Sequence, residues 1–106
     1  MTEVTTVGEF VRSVQGDVAP PEGLSEALQA LWFAGRGAWH RAHETAQNIE
    51  SEEGAWVHAH LHRQEGDLSN ARYWYQRAKR AECKSTLKEE WEDIVRTLLS
   101  SHLREE

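Results

Sequence analysis

The sequence predicts an all-α fold of about six helices, in which two stacked helical hairpins lie between an N-terminal and a C-terminal capping helix. Apolar residues recur along the chain at three- and four-residue spacing, which is typical of amphipathic helices. Capping residues and glycines bound these segments, and a helix–glycine–helix pattern occurs twice. Apolar and polar residues do not alternate along any β-branched run, so no strand is predicted.

Residues 1–16 and 17–23 are predicted to form an N-terminal helix and a linker. Thr6 and Glu9 have the spacing of a capping box, an apolar stripe follows them, and Gly16 ends the pattern. The linker contains two adjacent prolines, and each disfavours helical backbone in the residue before it. We therefore expect the hairpins to begin after this linker.

The two hairpins are predicted over residues 24–49 and 52–81, each with a pair of helices around a glycine-containing turn. Shifting the chain by 29 residues places Gly37 on Gly66, which indicates an internal repeat. A last helix is predicted over residues 86–104. We expect it to cover the open end of the stack, as the terminal elements of repeat proteins do.

Size and charge favour a single domain over residues 1–106 and exclude several classes of function. The chain of 106 residues is long enough for one core but too short for separate cofactor and substrate domains. Its net charge of −6 provides no positive field for nucleic acid or an anionic membrane. Cys83 is alone, and no apolar run approaches the length of a membrane span. We expect a cytoplasmic protein that binds neither nucleic acid nor membrane.

The second hairpin resembles a tetratricopeptide repeat. Gly66-Asp67-Leu68 followed by Ala71, Tyr75 and Ala78 matches the family's turn and its small, aromatic and small positions. The first hairpin resembles the family more loosely. The stretch 62–75 is also similar to part of small bacterial and fungal proteins, a likeness that implies no activity. The tetratricopeptide resemblance implies stacked hairpins whose first helices line a concave binding face.

That concave face is the candidate surface for a partner. The corresponding positions on the fourth helix are Trp56, His60, Arg63 and Gln64. Tryptophan for apolar anchoring and arginine for carboxylates are enriched at interaction hot spots, so a peptide terminus or an acidic segment would fit. The first hypothesis is a non-catalytic protein-interaction or scaffold module without a cofactor. In one alternative, Trp56 simply packs on the second helix. In another, Trp74 or the sixth helix mediates a homodimer.

The histidines support a second hypothesis, of a different class. Five of the six lie between His40 and His62. His58 and His62 are four residues apart on one helix face, and His43 lies level with His58 if the third and fourth helices are antiparallel. The cluster of His43, His58 and His62 would suit zinc, nickel or copper, although its spacing matches no established metallopeptidase motif. Such a site, between helices three, four and five, would bind a metal or small ligand and could be enzymatic.

Two other interpretations of these histidines remain open. They could be core residues whose polar atoms are paired with Tyr73, Tyr75, Asp67 or a backbone carbonyl. One of them could instead act as an acid or base, oriented by Glu65, Asp67 or Tyr75. The sequence contains no nucleophile elbow and no phosphate-binding loop, which favours a protein that is not an enzyme.

Overall fold

The computed structural model describes residues 4–103 and confirms the all-α prediction. Its helices are α1 (Val7–Gly16), α2 (Glu26–Gly35), α3 (Trp39–Gln47), α4 (Glu52–Gln64), α5 (Leu68–Ala78) and α6 (Leu87–Leu103). The described part of the chain contains no strand. None of its helices combines the length and the apolar character that crossing a membrane requires. Arg104, which we expected to belong to the last helix, lies outside the described residues.

Side-chain caps explain where several helices begin. Thr6 and Glu9 form the predicted capping box, in which each side chain accepts a hydrogen bond from the backbone of the other residue. Thr86 and Glu89 make the same pair of bonds at the start of α6. Helix α2 begins two residues later than predicted because the Ser25 hydroxyl caps it. Such caps satisfy backbone N–H groups that have no partner within the helix.

Helices α3 and α5 end earlier than predicted. Lys79 adopts a left-handed backbone conformation, with φ of 60°, directly after α5 and so terminates it. Ile49 belongs to the turn between α3 and α4 and packs closely against Gly54. A Cβ atom at Gly54 would lie 2.6 Å from the Cβ of Ile49, so this turn requires glycine.

Helix α4 is at the centre of the fold and contacts α2, α3, α5 and α6. Among the six described helices, α6 packs its backbone closely against α1, α2 and α4, whereas α5 reaches it through the Tyr75 hydroxyl, which donates to Glu90. It therefore lies across the first helices of both hairpins and not beside α5, where an end cap of the stack was expected. The reason is its broad buried face, which consists of Glu90, Ile94, Val95, Leu98 and Leu99.

Candidate metal centre

Helix α4 presents buried histidines on two opposite sides. His58 and His62 are one turn apart and share a side, whereas His60 is rotated by about 200° from His58 and faces the other way. All three are buried, with 0 to 6% of each residue exposed. The two sides of α4 therefore place the same type of side chain in two different environments.

The side that faces α3 and α5 carries a cluster of three imidazoles, His43, His58 and His62. The Nε2 atoms of His43 and His58 are 2.9 Å apart and share one hydrogen bond. One nitrogen from each of the three rings lies within 4.8 Å of the others. The structure thus brings together the three residues that the helix spacing singled out. We call this group the three-histidine cluster.

Aromatic rings enclose the cluster on two sides. The Trp74 indole stacks on His58 with a centroid distance of 3.9 Å, and Trp39 stacks on His43 at 4.8 Å. Neutral imidazole stacks well on indole, and both tryptophans exclude water from the rings that they cover. Each of the two neighbouring helices, α3 and α5, therefore contributes one tryptophan that covers one side of the site.

Glu65 orients the third imidazole, that of His62, through a hydrogen bond with its Nδ1 atom. Nδ1 of His62 donates to Oε1 of Glu65 over 2.6 Å. Because the carboxylate can only accept, Nδ1 carries the proton and Nε2 is left with its lone pair when the ring is neutral. Of the partners considered for these histidines, Glu65 is therefore used. Tyr75 instead donates to Glu90, and Asp67 caps α5.

Burial and mutual repulsion favour the neutral forms of His43 and His58. Burial is the largest cause that lowers the pKa of His58 to about 4, and the neighbouring imidazoles His43 and His62 contribute to the same shift. Burial also lowers the pKa of His43, again with a contribution from His62. A neutral imidazole is the form that coordinates a metal ion, so neither ring has to lose a proton at pH 7. The proton between the two Nε2 atoms must move to Nδ1 of its own ring before both can bind the ion.

An ion would fit between these rings after a small rearrangement. Two nitrogen ligands of a tetrahedral zinc ion, each about 2.0–2.1 Å from the metal, are roughly 3.3 Å apart. The His43–His58 separation of 2.9 Å is slightly shorter. The His58 and His62 rings are inclined by only 15°, whereas the lone pairs of two ligands must converge. At least one ring must therefore rotate about its χ2 bond when the ion enters.

The donors themselves are the guide to function, because the chain matches no protein-family model, no curated protein and no solved structure. Three imidazoles form a borderline donor set that suits zinc, nickel and copper better than magnesium or calcium, which prefer oxygen. These three residues could hold a transition-metal ion.

The four residues expected on a concave binding face do not form one exposed surface. His60 is completely buried, and Trp56 is 5% exposed because the Arg80 guanidinium covers its ring at 3.5 Å. Arg63 is engaged by α6, and Gln64 lines a separate cleft of about 300 Å³ beside α1 and α6. Helix α6 occupies the space that an external partner was expected to fill.

A buried carboxylate of α6 explains how that space is filled. Glu90 accepts hydrogen bonds from Nδ1 of His60 over 2.7 Å, from Nη1 of Arg63 over 2.8 Å, and from the Tyr75 hydroxyl. Burial opposes ionisation of Glu90, but the bonds from His60 and Tyr75 hold its pKa below the ordinary value. We call these four residues the Glu90 network.

Sequence reasoning missed Glu90. The available signal was its position, since Glu90 precedes Ile94 by four residues and Leu98 by eight and so shares the apolar face of α6. An acidic residue on such a face needs a buried partner. Arg63 supplies that partner through Nη1, and its Nη2 atom donates to the carbonyl of Ser85 over 2.7 Å.

Proposed function

We propose that this protein binds one divalent transition-metal ion, zinc or nickel, through His43, His58 and His62. The observation that carries the proposal is the convergence of three imidazole nitrogens within 4.8 Å of one another, from two helices. Three further features support it. Two of the rings have lowered pKa values, tryptophans shield the cluster from water, and a carboxylate orients the third ring.

The carboxylate behind His62 is the feature that separates this cluster from a chance contact of buried rings. Metal-binding histidines commonly donate their second ring N–H to a carboxylate, which fixes the tautomer and makes the ligand nitrogen more basic. Glu65 occupies that position, three residues after His62 on the same helix end. The protein's net charge of −6 also favours uptake of a dication.

Zinc titration of untagged protein tests the proposal. We expect one zinc ion per chain, and binding should stabilise the fold by about 2.7 kcal/mol at a free concentration 100 times the dissociation constant. A His58→Ala, His62→Ala double variant should bind none. Calorimetry against a competing chelator would give the affinity, and circular dichroism would show whether the variant retains its helices.

A matched pair of variants on α3 gives a sharper control. His43→Ala should weaken zinc binding by more than the roughly 10- to 100-fold that outer-shell changes cost. His40→Ala should leave the affinity unchanged, since His40 is exposed on the preceding turn. Protein that takes up no zinc or nickel and keeps its melting temperature in their presence would show that the histidines only pack the core.

A protein-interaction module is the second candidate, and one observation favours it. Arg63, His60 and Tyr75 surround a carboxylate, which is the kind of group that we expected this face to recognise. The carboxylate belongs to α6 of the same chain, however, and the apolar face of α6 is buried with it. A partner on this face would have to displace four buried aliphatic side chains, at roughly 1.5–3 kcal/mol each. The three-histidine cluster is therefore the better supported site.

A further inference from the structure

In the part of the chain that the structure describes, the three-histidine cluster has no fourth histidine, cysteine or carboxylate donor. Among the residues whose side chains the structure describes, no additional histidine, cysteine, aspartate or glutamate has a donor atom within 4.8 Å of all three imidazole nitrogens. Zinc in proteins is almost always four-coordinate, and three protein ligands are typical of sites that keep one exchangeable position. A site with three protein ligands would therefore leave the ion one position for a further ligand.

Glu65 is the nearest candidate for the missing ligand, but its geometry assigns it another role. Its Oε1 atom lies 2.6 Å from Nδ1 of His62, on the side of the ring away from Nε2. While it accepts that bond, Nδ1 carries the proton and Nε2 of the neutral ring keeps its lone pair. A carboxylate in this position acts on the metal through the imidazole and does not touch it.

A competing donor set shares one member with the cluster. His62, Glu65 and Asp67 also have donor atoms within 4.8 Å of one another. Both carboxylate oxygens of Asp67 already accept hydrogen bonds from Asn70, one from its backbone and one from its side chain. The backbone bond caps α5. Using Asp67 as a ligand would therefore weaken a helix cap, which favours the three-histidine cluster.

The walls of the cluster determine where an additional ligand would enter. Trp39 covers His43 and Trp74 covers His58, so the stacked faces of those rings are closed. His43 is only half-buried, whereas His58 and His62 are buried, so solvent reaches the cluster beside His43.

We infer that the ion in this site keeps one exchangeable coordination position, which takes water or a small inorganic anion, while Glu65 positions His62 from outside the coordination shell. This inference rests on the proposed function. A water molecule bound to zinc in such a position ionises near pH 7, far below its value in bulk water. The site would therefore present a hydroxide or an anion to solvent at neutral pH.

Azide titration of the cobalt(II)-loaded full-length protein tests the inference, because visible absorption of cobalt reports its ligands. We expect a saturable change in the visible spectrum of the wild-type protein when azide binds. Glu65→Ala should lower cobalt affinity by about 10- to 100-fold and keep the azide response. Glu65→Gln, which retains an acceptor for Nδ1–H of His62, should lose less affinity.

Other outcomes would overturn the inference in distinguishable ways. If wild-type protein binds cobalt without responding to azide and Glu65→Gln does respond, Glu65 is itself the fourth ligand. Asp67→Asn keeps a good N-cap residue and removes the carboxylate, so it should change neither affinity nor the azide response. A loss of affinity in that variant would assign the ion to His62, Glu65 and Asp67. Failure of wild-type protein to bind cobalt or zinc would reject the proposed function itself.

Discussion

The two sides of α4 carry histidines in opposite chemical settings. His60 belongs to the Glu90 network, in which one carboxylate accepts from three donors and Arg63 balances its charge. His58 and His62 belong to the three-histidine cluster, where His58 shares a hydrogen bond with His43 and the Glu65 carboxylate accepts from His62. The Glu90 network joins α6 to α4 and α5, whereas the three-histidine cluster leaves imidazole lone pairs available.

The difference shows that a buried histidine must be interpreted through its partners. The Glu90 network uses nearly all its donors and acceptors internally. Nε2 of His60 is its exception, and it is the one buried side-chain nitrogen or oxygen without a partner among the described residues. In the three-histidine cluster, burial lowers the pKa values of His43 and His58 and so keeps these two rings neutral at pH 7. The first arrangement stabilises the fold, and the second is suited to an ion.

Removing Glu90 should produce the largest effect. In Glu90→Ala, the Arg63 guanidinium and the Tyr75 hydroxyl lose a buried acceptor, and breaking such a pair costs about 3–5 kcal/mol. Urea unfolding followed by circular dichroism would measure the loss. Asp93→Ala is the matched control on the same helix, since Asp93 is exposed and makes only a long contact of 3.6 Å with Arg96. It should change stability by less than about 0.5 kcal/mol. Equal losses in both variants would contradict a special role for the network.

The two sides should also respond to acid in different pH ranges. The folded-state pKa of His58, about 4, lies below the ordinary 6.5, so the unfolded chain takes up the proton first as pH falls. The contribution of neutral His58 to the free energy of unfolding is present above pH 6.5 and is lost as the pH falls towards 4. The loss is no more than roughly 3 kcal/mol. The pKa of Glu90 is lowered from 4.5, so its contribution is lost only below that pH.

Unfolding free energies of metal-free protein between pH 7 and pH 3 would separate these contributions. His58→Phe should flatten the change between pH 6.5 and 4, and His43 should account for the slope that remains, since its pKa is also lowered. Glu90→Gln should keep this slope and flatten the change below pH 4.5. A His58→Phe profile identical to that of wild-type protein would show that His58 is not kept neutral by the fold.

Much of the fold follows from local signals in the sequence. The capping pairs at Thr6 and Thr86 mark two helix starts, and the glycines Gly37 and Gly66 adopt similar positive φ values at corresponding turns. What local signals do not provide is the direction in which a terminal helix docks. Helix α6 turns back over α2 and α4, because its apolar face is buried there and its Glu90 carboxylate accepts hydrogen bonds from His60 and Arg63 of α4 as well as from Tyr75 of α5.

The candidate site likewise has one part that the sequence predicts and another that it does not. Helical spacing alone brings His58 and His62 together, and the turn between α3 and α4 brings His43 level with them. The stacking of Trp74 on His58 was not predicted, because the rotation of α5 about its axis depends on how Tyr75 is held by Glu90. Spacing within a helix is fixed by backbone geometry, whereas contacts between helices depend on the whole core.

Trp74 offers the smallest and most selective way to distinguish the two sides. Its indole lies 3.9 Å from the His58 ring and parallel to it within 10°, so Trp74→Leu should cost about 1 kcal/mol beyond the lost apolar area. Trp74→Phe keeps a stacked ring and should cost less. Because the stack restrains His58 in its metal-free orientation, and zinc requires a ring to rotate, both variants should bind zinc at least as tightly as wild-type protein. Weaker zinc binding by the folded Trp74→Phe variant would instead show that the indole holds His58 ready for the ion.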